Sequence, residues 1–239
     1  MGGPGLSLAL VVAAAGYGAR LDSGLPKQYV PLLGIPMLQR TLSTLSSCSE
    51  VDALAVVVNF PDVEYCIKEI AMERIGKVAL VTAGGEERPL SVKKGLLALA
   101  EVGSWDLVGV HDGARPLVTC DAIGRAVAAL AADPTLDGAV LAIPSVDTVK
   151  IVDEGGLIRS TPDRRSLWRA QTPQIFRWQA LMDAYRVSDE ALADATDDAA
   201  LVEARGGRVA VVEGSPENFK ITDRVDLRLA EQILAERRW

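Results

Sequence analysis

Six short apolar runs constrain this chain more than any other feature. They cover residues 6–14, 53–58, 78–81, 107–110, 139–143 and 209–212. Several are nearly continuous rather than alternating, the pattern of strands covered on both faces. Between them lie segments with helical character at 37–46, 63–73, 90–101, 121–131, 178–186 and 197–205, and a last one at 223–237. Strands that alternate with helices predict an α/β fold with a mostly parallel sheet. Thr222 or Asp223 is placed to cap the final helix, whose terminal arginines suit its C-terminal dipole.

One segment breaks the alternation. Residues 145–168 read SVDTVKIVDEGGLIRSTPDRRSLW, which predicts a strand, a Gly-Gly turn, a second strand and a basic loop. A lone hairpin is marginal in water and must pack on something. It either folds back on its own domain or reaches a second copy that covers its edges. No repeat and no low-complexity linker interrupts the 239 residues, so the expectation is one domain, 1–239, carrying 145–168 as an inserted arm.

Charge narrows the function. A formal net charge of −7 and no basic tract argue against nucleic acid as a partner. A local basic pocket for a small phosphorylated ligand remains compatible with that balance. The N-terminal apolar run is too short to span a bilayer and no Lys or Arg precedes it, so neither a membrane span nor a signal peptide is expected, and the expected location is cytoplasmic. Cys48, Cys66 and Cys120 match no metal or redox spacing and are expected to be buried or incidental thiols. A single histidine, His111, makes a histidine-based metal site improbable.

In open parallel sheets ligands sit beyond the carboxyl ends of the strands, so the residues after each apolar run carry the chemistry. The first run ends in Gly16-Tyr17-Gly18-Ala19-Arg20, with Lys27 following. Glycines there let backbone N–H groups turn toward an anion, and Arg20 and Lys27 can neutralise phosphate oxygens. A turn with solvated charges is the plainer alternative. The third glycine of a dinucleotide fingerprint and the Gly-Lys-Ser/Thr of a P-loop are both missing, which disfavours a dehydrogenase and a P-loop ATPase. After the third run comes Gly84-Gly85-Glu86-Glu87-Arg88, then Ser91, suited to a flat base or to an ordinary strand-to-helix turn. After the fourth comes His111-Asp112-Gly113-Ala114-Arg115. Asp112 is a candidate for a metal or a substrate hydroxyl, or else a helix cap; His111 reads as a hydrogen-bonded core residue. Thr148, Arg164, the Gln171-Thr172-Pro173-Gln174 stretch and Asn218-Phe219-Lys220 follow later. Several cations, one carboxylate and few acid–base groups describe a site that binds phosphates and stabilises charge.

Taken in order, AAAGYGARLDSGLPKQYVPLLGIPML, GGEERPLSV, VHDGARPLV, VDTVK, LWRAQTPQIF, TDDAALVE and ENFKIT resemble the cytidylyltransferases that act on 2-C-methyl-D-erythritol 4-phosphate, over about residues 6–236. That resemblance implies a Rossmann-like nucleotidyltransferase sandwich and a homodimer with interlocking arms. It implies transfer of CMP from CTP to the polyol phosphate with release of pyrophosphate, and a divalent cation, usually Mg2+. By matching stretch, Ala14, Ala15, Gly16 and Gly18 form the backbone cradle. Arg20, Lys27 and Lys220 are the catalytic cations. Gly85, Glu86, Arg88 and Ser91 take the cytidine side. Asp112, Arg115, Thr148 and Arg164 hold the polyol phosphate, some of them from the partner's arm, with Asp112 also a candidate metal ligand.

Two positions depart from that pattern: Ala19 replaces the first of two arginines, and Gly113 stands where alanine or serine is common, an expected loosening of the loop. A ribitol 5-phosphate cytidylyltransferase shares the fold, the nucleotide and most of these motifs. A non-catalytic nucleotide binder would also keep the fold, although Arg20, Lys27, Asp112 and Lys220 all being present argues against decay.

Overall fold

The computed structural model describes residues 5–16, 25–71, 75–193 and 195–237. Seven strands make the central sheet: β1 (Leu8–Ala13), β4 (Ala53–Val58), β5 (Val78–Ala83), β6 (Leu107–Asp112), β7 (Gly138–Pro144), β10 (Trp168–Arg177) and β11 (Val209–Glu213). Their spatial order is β11-β7-β10-β6-β1-β4-β5. Two small hairpins stand apart, β2 (Pro31–Leu32) with β3 (Ile35–Pro36), and β8 (Ile151–Val152) with β9 (Ile158–Ser160). The helices are α1 (Met37–Ser47), α2 (Val63–Tyr65), α3 (Arg88–Val102), α4 (Cys120–Ala132), α5 (Trp178–Ala184), α6 (Asp189–Ala193), α7 (Asp198–Glu203) and α8 (Arg224–Glu236). Every predicted strand is present. The predicted helix at 63–73 is instead the short α2 followed by a π-helical turn, Cys66–Ala71.

Successive residues of a strand face opposite ways, and β1 shows what that builds. Leu8, Leu10 and Val12 pack with Leu38, Leu42 and Leu45 of α1 and Ile123 and Leu130 of α4. Ala9 and Val11 pack on the other side with Val92, Leu96 and Leu99 of α3 and Leu181 of α5. Each such buried Leu or Val contributes about 2 kcal/mol, which is why the runs between polar turns could be near-continuous. Asp223 caps α8, accepting from the N–H groups of Val225 and Asp226 in a capping box with Asp226. Thr119 caps α4 in the same manner, accepting from the N–H of Ala122.

Three further features differ from the expectations. β10 is a strand the apolar runs do not reveal, inserted antiparallel between β6 and β7. Its burial is supplied partly by Gln171, Thr172 and Gln174, so no apolar run marks it, and Pro173 within it argues against a central strand. The register shift between Ala170 and Gln174 accommodates that proline, whose peptide bond to Thr172 is cis. Cys48 and Cys120 are not separate thiols but a disulfide joining the end of α1 to the start of α4, with Cα atoms 5.0 Å apart; Cys66 is free and buried. The pairing spans 72 residues, and connectivity of this kind cannot be read from spacing. The loop at Gly113 is not loosened: its N–H donates to Ala13 C=O and its C=O accepts from Thr41.

β8 and β9 form the predicted hairpin within 145–168, with Gly156 at φ +79° in its turn. Val146, Ile151, Val152, Leu157 and Ile158 on this segment are all at least half exposed. No helix among the described residues is long and apolar enough to cross a membrane.

Candidate active site

The carboxyl ends of β1, β5 and β6 open into one cavity of about 270 Å3. Ala14, Ala15 and Gly16 lie along it after β1, and Lys27 reaches it from the following turn. That turn is anchored by its two buried neighbours. Gln28 donates to Asp62, and the Tyr29 ring meets Tyr65 edge-on at 5.0 Å. Gly18 and Arg20 lie outside the described residues.

Gly85, Glu86, Arg88 and Ser91 line the same cavity after β5. Here the glycines answer a steric demand. A Cβ on Gly84 would sit 2.5 Å from the Ser91 hydroxyl and 2.7 Å from Ala15 Cβ, and one on Gly85 would sit 2.6 Å from Leu90 Cβ. The buried Ser91 hydroxyl accepts the Gly85 N–H at 3.0 Å, which ties the turn to the first residues of α3. The cavity thus has a backbone-rich wall close enough to contact a flat ring.

Asp112 ends β6 at the cavity floor and is the centre of the electrostatics. One of its oxygens accepts from Arg88 Nε at 3.2 Å; the other lies 2.9 Å from Lys220 Nζ and 3.6 Å from Arg115 Nε. Burial opposes ionisation of Asp112, but Arg88, Lys220 and Arg115 outweigh it and hold the carboxyl well below the usual carboxylate range. Arg88 is gripped from behind as well. Its Nη2 donates at 2.8 Å to Asp198, a fully buried carboxylate that also accepts from the Tyr185 hydroxyl at 2.6 Å. Burial alone would lower the Arg88 pKa; Asp198 and Asp112 reverse that and raise it.

Asp198 is a residue the sequence reading did not single out. It begins α7, whose N-cap is Asp197 rather than Asp198. Gln174 of β10 clips this helix in place, donating to Asp197 and accepting the Ala199 N–H. The TDDAALVE stretch was the available signal, but only the fold shows which of its two adjacent carboxylates turns inward.

The other predicted residues divide cleanly. Arg115 is set behind Asp112 and donates to the Asn218 C=O at 2.7 Å. Thr148 and Arg164 are exposed on the arm and do not line the cavity. Arg164 donates to the Val146 C=O at 3.4 Å. The structure therefore brings together Ala14, Ala15, Gly16, Lys27, Gly85, Glu86, Arg88, Ser91, Asp112 and Lys220, with Arg115 directly behind.

His111 is fully buried, between Thr172 and the Arg115 C=O, as expected of a hydrogen-bonded core residue. Burial pushes its pKa down to about 4, below the 6.5 of an exposed imidazole. Between those two values the unfolded chain binds a proton that the folded chain refuses, so stability falls as the pH drops through that window. Urea unfolding is expected to show a loss of roughly 2–3 kcal/mol from pH 7 to pH 4.5 attributable to this residue. A folded His111→Gln protein should lose that component; an unchanged pH profile would contradict the assignment.

Comparison with known proteins bears on this geometry. The sequence model described as 2-C-methyl-D-erythritol 4-phosphate cytidylyltransferase (IspD) matches residues 8–236. A protein of that name from Geobacter metallireducens is 42% identical over 230 residues, covering 95% of this chain and 97% of its own length. Another, from Pelotomaculum thermopropionicum, is 43% identical over 232 residues, covering 96% and 95%. The crystal structure of 4-diphosphocytidyl-2C-methyl-D-erythritol synthase from Anaerococcus prevotii superposes with a TM-score of 0.81 at 32% identity, over 96% of each chain. The matched span takes in every strand and helix that shapes the cavity, and on that breadth the chain belongs to the 2-C-methyl-D-erythritol 4-phosphate cytidylyltransferase family.

Proposed function

We propose that the cavity binds CTP and that the protein transfers CMP from it to 2-C-methyl-D-erythritol 4-phosphate, releasing pyrophosphate, as its family membership implies. One observation supports this reading: Asp112, Lys220 and Arg88 converge at the end of β6 and line the same cavity as Ala14, Ala15, Gly16 and Lys27. A phosphate oxygen of the polyol substrate attacks the α-phosphorus of CTP. The new P–O bond forms as the bond to pyrophosphate breaks, with the electron pair leaving on pyrophosphate. The attacking oxygen is already anionic near neutral pH, so no general base is required, and His111 is buried away from the cavity. What the chain supplies is orientation and charge neutralisation. Lys27 and Lys220, with Arg20, are assigned to the triphosphate and the reacting phosphorus. Gly85, Glu86 and Ser91 are assigned to the cytosine, with Arg88 beside them.

The family implies a divalent cation such as Mg2+. No cluster of three or more His, Cys, Asp or Glu among the described residues could hold one alone, and both Asp112 oxygens are paired with cations, so such an ion would be held mainly by the substrate phosphates, with Asp112 the nearest candidate side chain. Such an ion would draw charge from the triphosphate.

The arm completes the reading. Its exposed apolar side chains and the positions of Thr148 and Arg164 outside the cavity support a homodimer in which 145–168 lends residues to a neighbour's polyol-phosphate subsite. The chain is then one catalytic domain, 1–239, with an exchanged arm, and its expected compartment is the cytoplasm. Mixing Arg164→Ala chains with Lys27→Ala chains should restore part of the activity that each homodimer lacks. No recovery in confirmed heterodimers would mean that each chain builds its own site.

The activity itself is tested by pyrophosphate release with CTP and Mg2+, offering 2-C-methyl-D-erythritol 4-phosphate or ribitol 5-phosphate, with ATP, GTP and UTP as controls. Release with CTP and the methylerythritol substrate alone is expected. Release with ribitol phosphate instead would overturn the assignment while leaving the fold and the cavity intact.

A further inference from the structure

The buried histidine is not idle. A carbonyl oxygen only accepts, so the 3.1 Å contact between His111 Nε2 and the Arg115 C=O fixes the proton on Nε2. Nδ1 is then an acceptor, and its partner at 3.1 Å, the Thr172 hydroxyl, must donate to it. With its hydrogen committed, the Thr172 oxygen accepts the Asp112 N–H at 3.0 Å. The chain of hydrogen bonds runs one way only: Asp112 N–H to Thr172, Thr172 to His111, His111 to Arg115 C=O. Its two ends are the two ends of a turn, closed by the Arg115 N–H donating to the Asp112 C=O at 3.0 Å. These same two residues face each other through their side chains. A branch extends the frame to the last loop. Asn218, buried two residues before Lys220, donates to the Thr172 C=O at 2.8 Å, and its own C=O accepts from Arg115.

We propose that His111, acting through Thr172, is a positioning residue that holds Asp112 and Arg115 in register for the polyol-phosphate half of the site. The inference rests on the reading of that half-site given above. The imidazole touches no reacting group. Both of its nitrogens are spent on the frame, and its position between a side chain of β10 and a backbone carbonyl of the β6 turn lets it brace two sheet strands against one loop. The nucleotide wall of Gly85 and Ser91 belongs to a different turn and is not part of this frame.

The frame predicts a selective defect. Thr172→Val removes the hydroxyl at nearly constant shape, and His111→Asn removes the bond to Arg115. Each is expected to raise KM for 2-C-methyl-D-erythritol 4-phosphate, or lower kcat, by about tenfold, the worth of one hydrogen bond that positions a charged group. The Kd for CTP, measured by direct binding without turnover, should change by clearly less than the methylerythritol phosphate kinetics, since Gly85 and Ser91 are held by their own hydrogen bond and CTP meets the frame only through Arg88 and Lys220, the cations paired with Asp112. Thr172→Ser keeps the hydroxyl and should recover most of the loss. The double variant should be no worse than about the weaker single variant, because both break one chain. Parent-like kinetics in folded Thr172→Val, losses that simply add, or equal losses in CTP binding would each overturn the proposal. If the histidine variants do not fold, the Thr172→Val and Thr172→Ser pair decides it alone. Failure of the parent protein to turn over the methylerythritol substrate would sink the functional reading instead, a distinct result.

Discussion

Lys220→Ala is expected to give a folded protein that has lost most of its turnover. Folding survives because Asp112 does not depend on this lysine alone: Arg88 at 3.2 Å and Arg115 at 3.6 Å still balance the carboxylate. Lys220 is itself partly exposed at the cavity rim, so its removal opens little core. Turnover does not survive, because negative charge grows on the leaving pyrophosphate while the reacting groups are enclosed by backbone and cations. Removing one preorganised positive group aimed at such charge costs about 3 kcal/mol, a loss on the order of a hundredfold in kcat. Lys27→Ala is expected to behave alike, since its turn is anchored independently by Gln28 and Tyr29. Single-turnover kinetics at saturating CTP would separate this effect from weakened binding. Near-parental rates in either variant would remove that lysine from the reacting centre.

This expectation also shows where the sequence was legible. Strand ends were readable because the apolar runs stop at Ala14, Val81 and Val110, and ligands lie beyond such ends in parallel sheets. The cavity residues Ala14, Gly16, Gly85, Asp112 and Lys220 follow from that rule, with the family resemblance assigning their roles. β10 was not readable in this way. Half of its six buried residues are Gln171, Thr172 and Gln174, polar groups whose burial is favourable only because each finds a partner in another element. A run of glutamines around a proline looks like a loop until the fold supplies those partners. The disulfide was hidden for a related reason: α1 and α4 become neighbours only after the sheet has formed between their sequences. Thr148 and Arg164 mark a further limit: the resemblance groups them with the polyol phosphate, yet both lie exposed on the arm and outside the cavity of their own chain.

The second large effect concerns Arg88, and here stability and affinity move together. Arg88→Met is expected to destabilise the protein by about 3 kcal/mol, because it leaves Asp198, a carboxylate with no solvent exposure, without its guanidinium and with the neutral Tyr185 hydroxyl as its remaining side-chain hydrogen-bond partner among the described residues. In a chain of this length that corresponds to a fall in Tm of roughly 6–12 °C. Breaking a buried pair from one side costs more than the pair itself contributes, and this asymmetry makes the claim testable. Asp198→Asn removes the buried charge while keeping a polar group beside Tyr185 and Arg88. Adding it to Arg88→Met should therefore recover much of the lost stability, so the double variant melts above the single one. It should not recover CTP affinity, because the guanidinium is still missing from the cavity wall. Thermal melts of the parent, both single variants and the double variant, read beside CTP binding, separate the two contributions. If the double variant is less stable than Arg88→Met, the energy of this corner does not lie in the Asp198 charge. If CTP binding returns with stability, Arg88 serves to neutralise the carboxylates of Asp198 and Asp112 and has no part in holding the nucleotide.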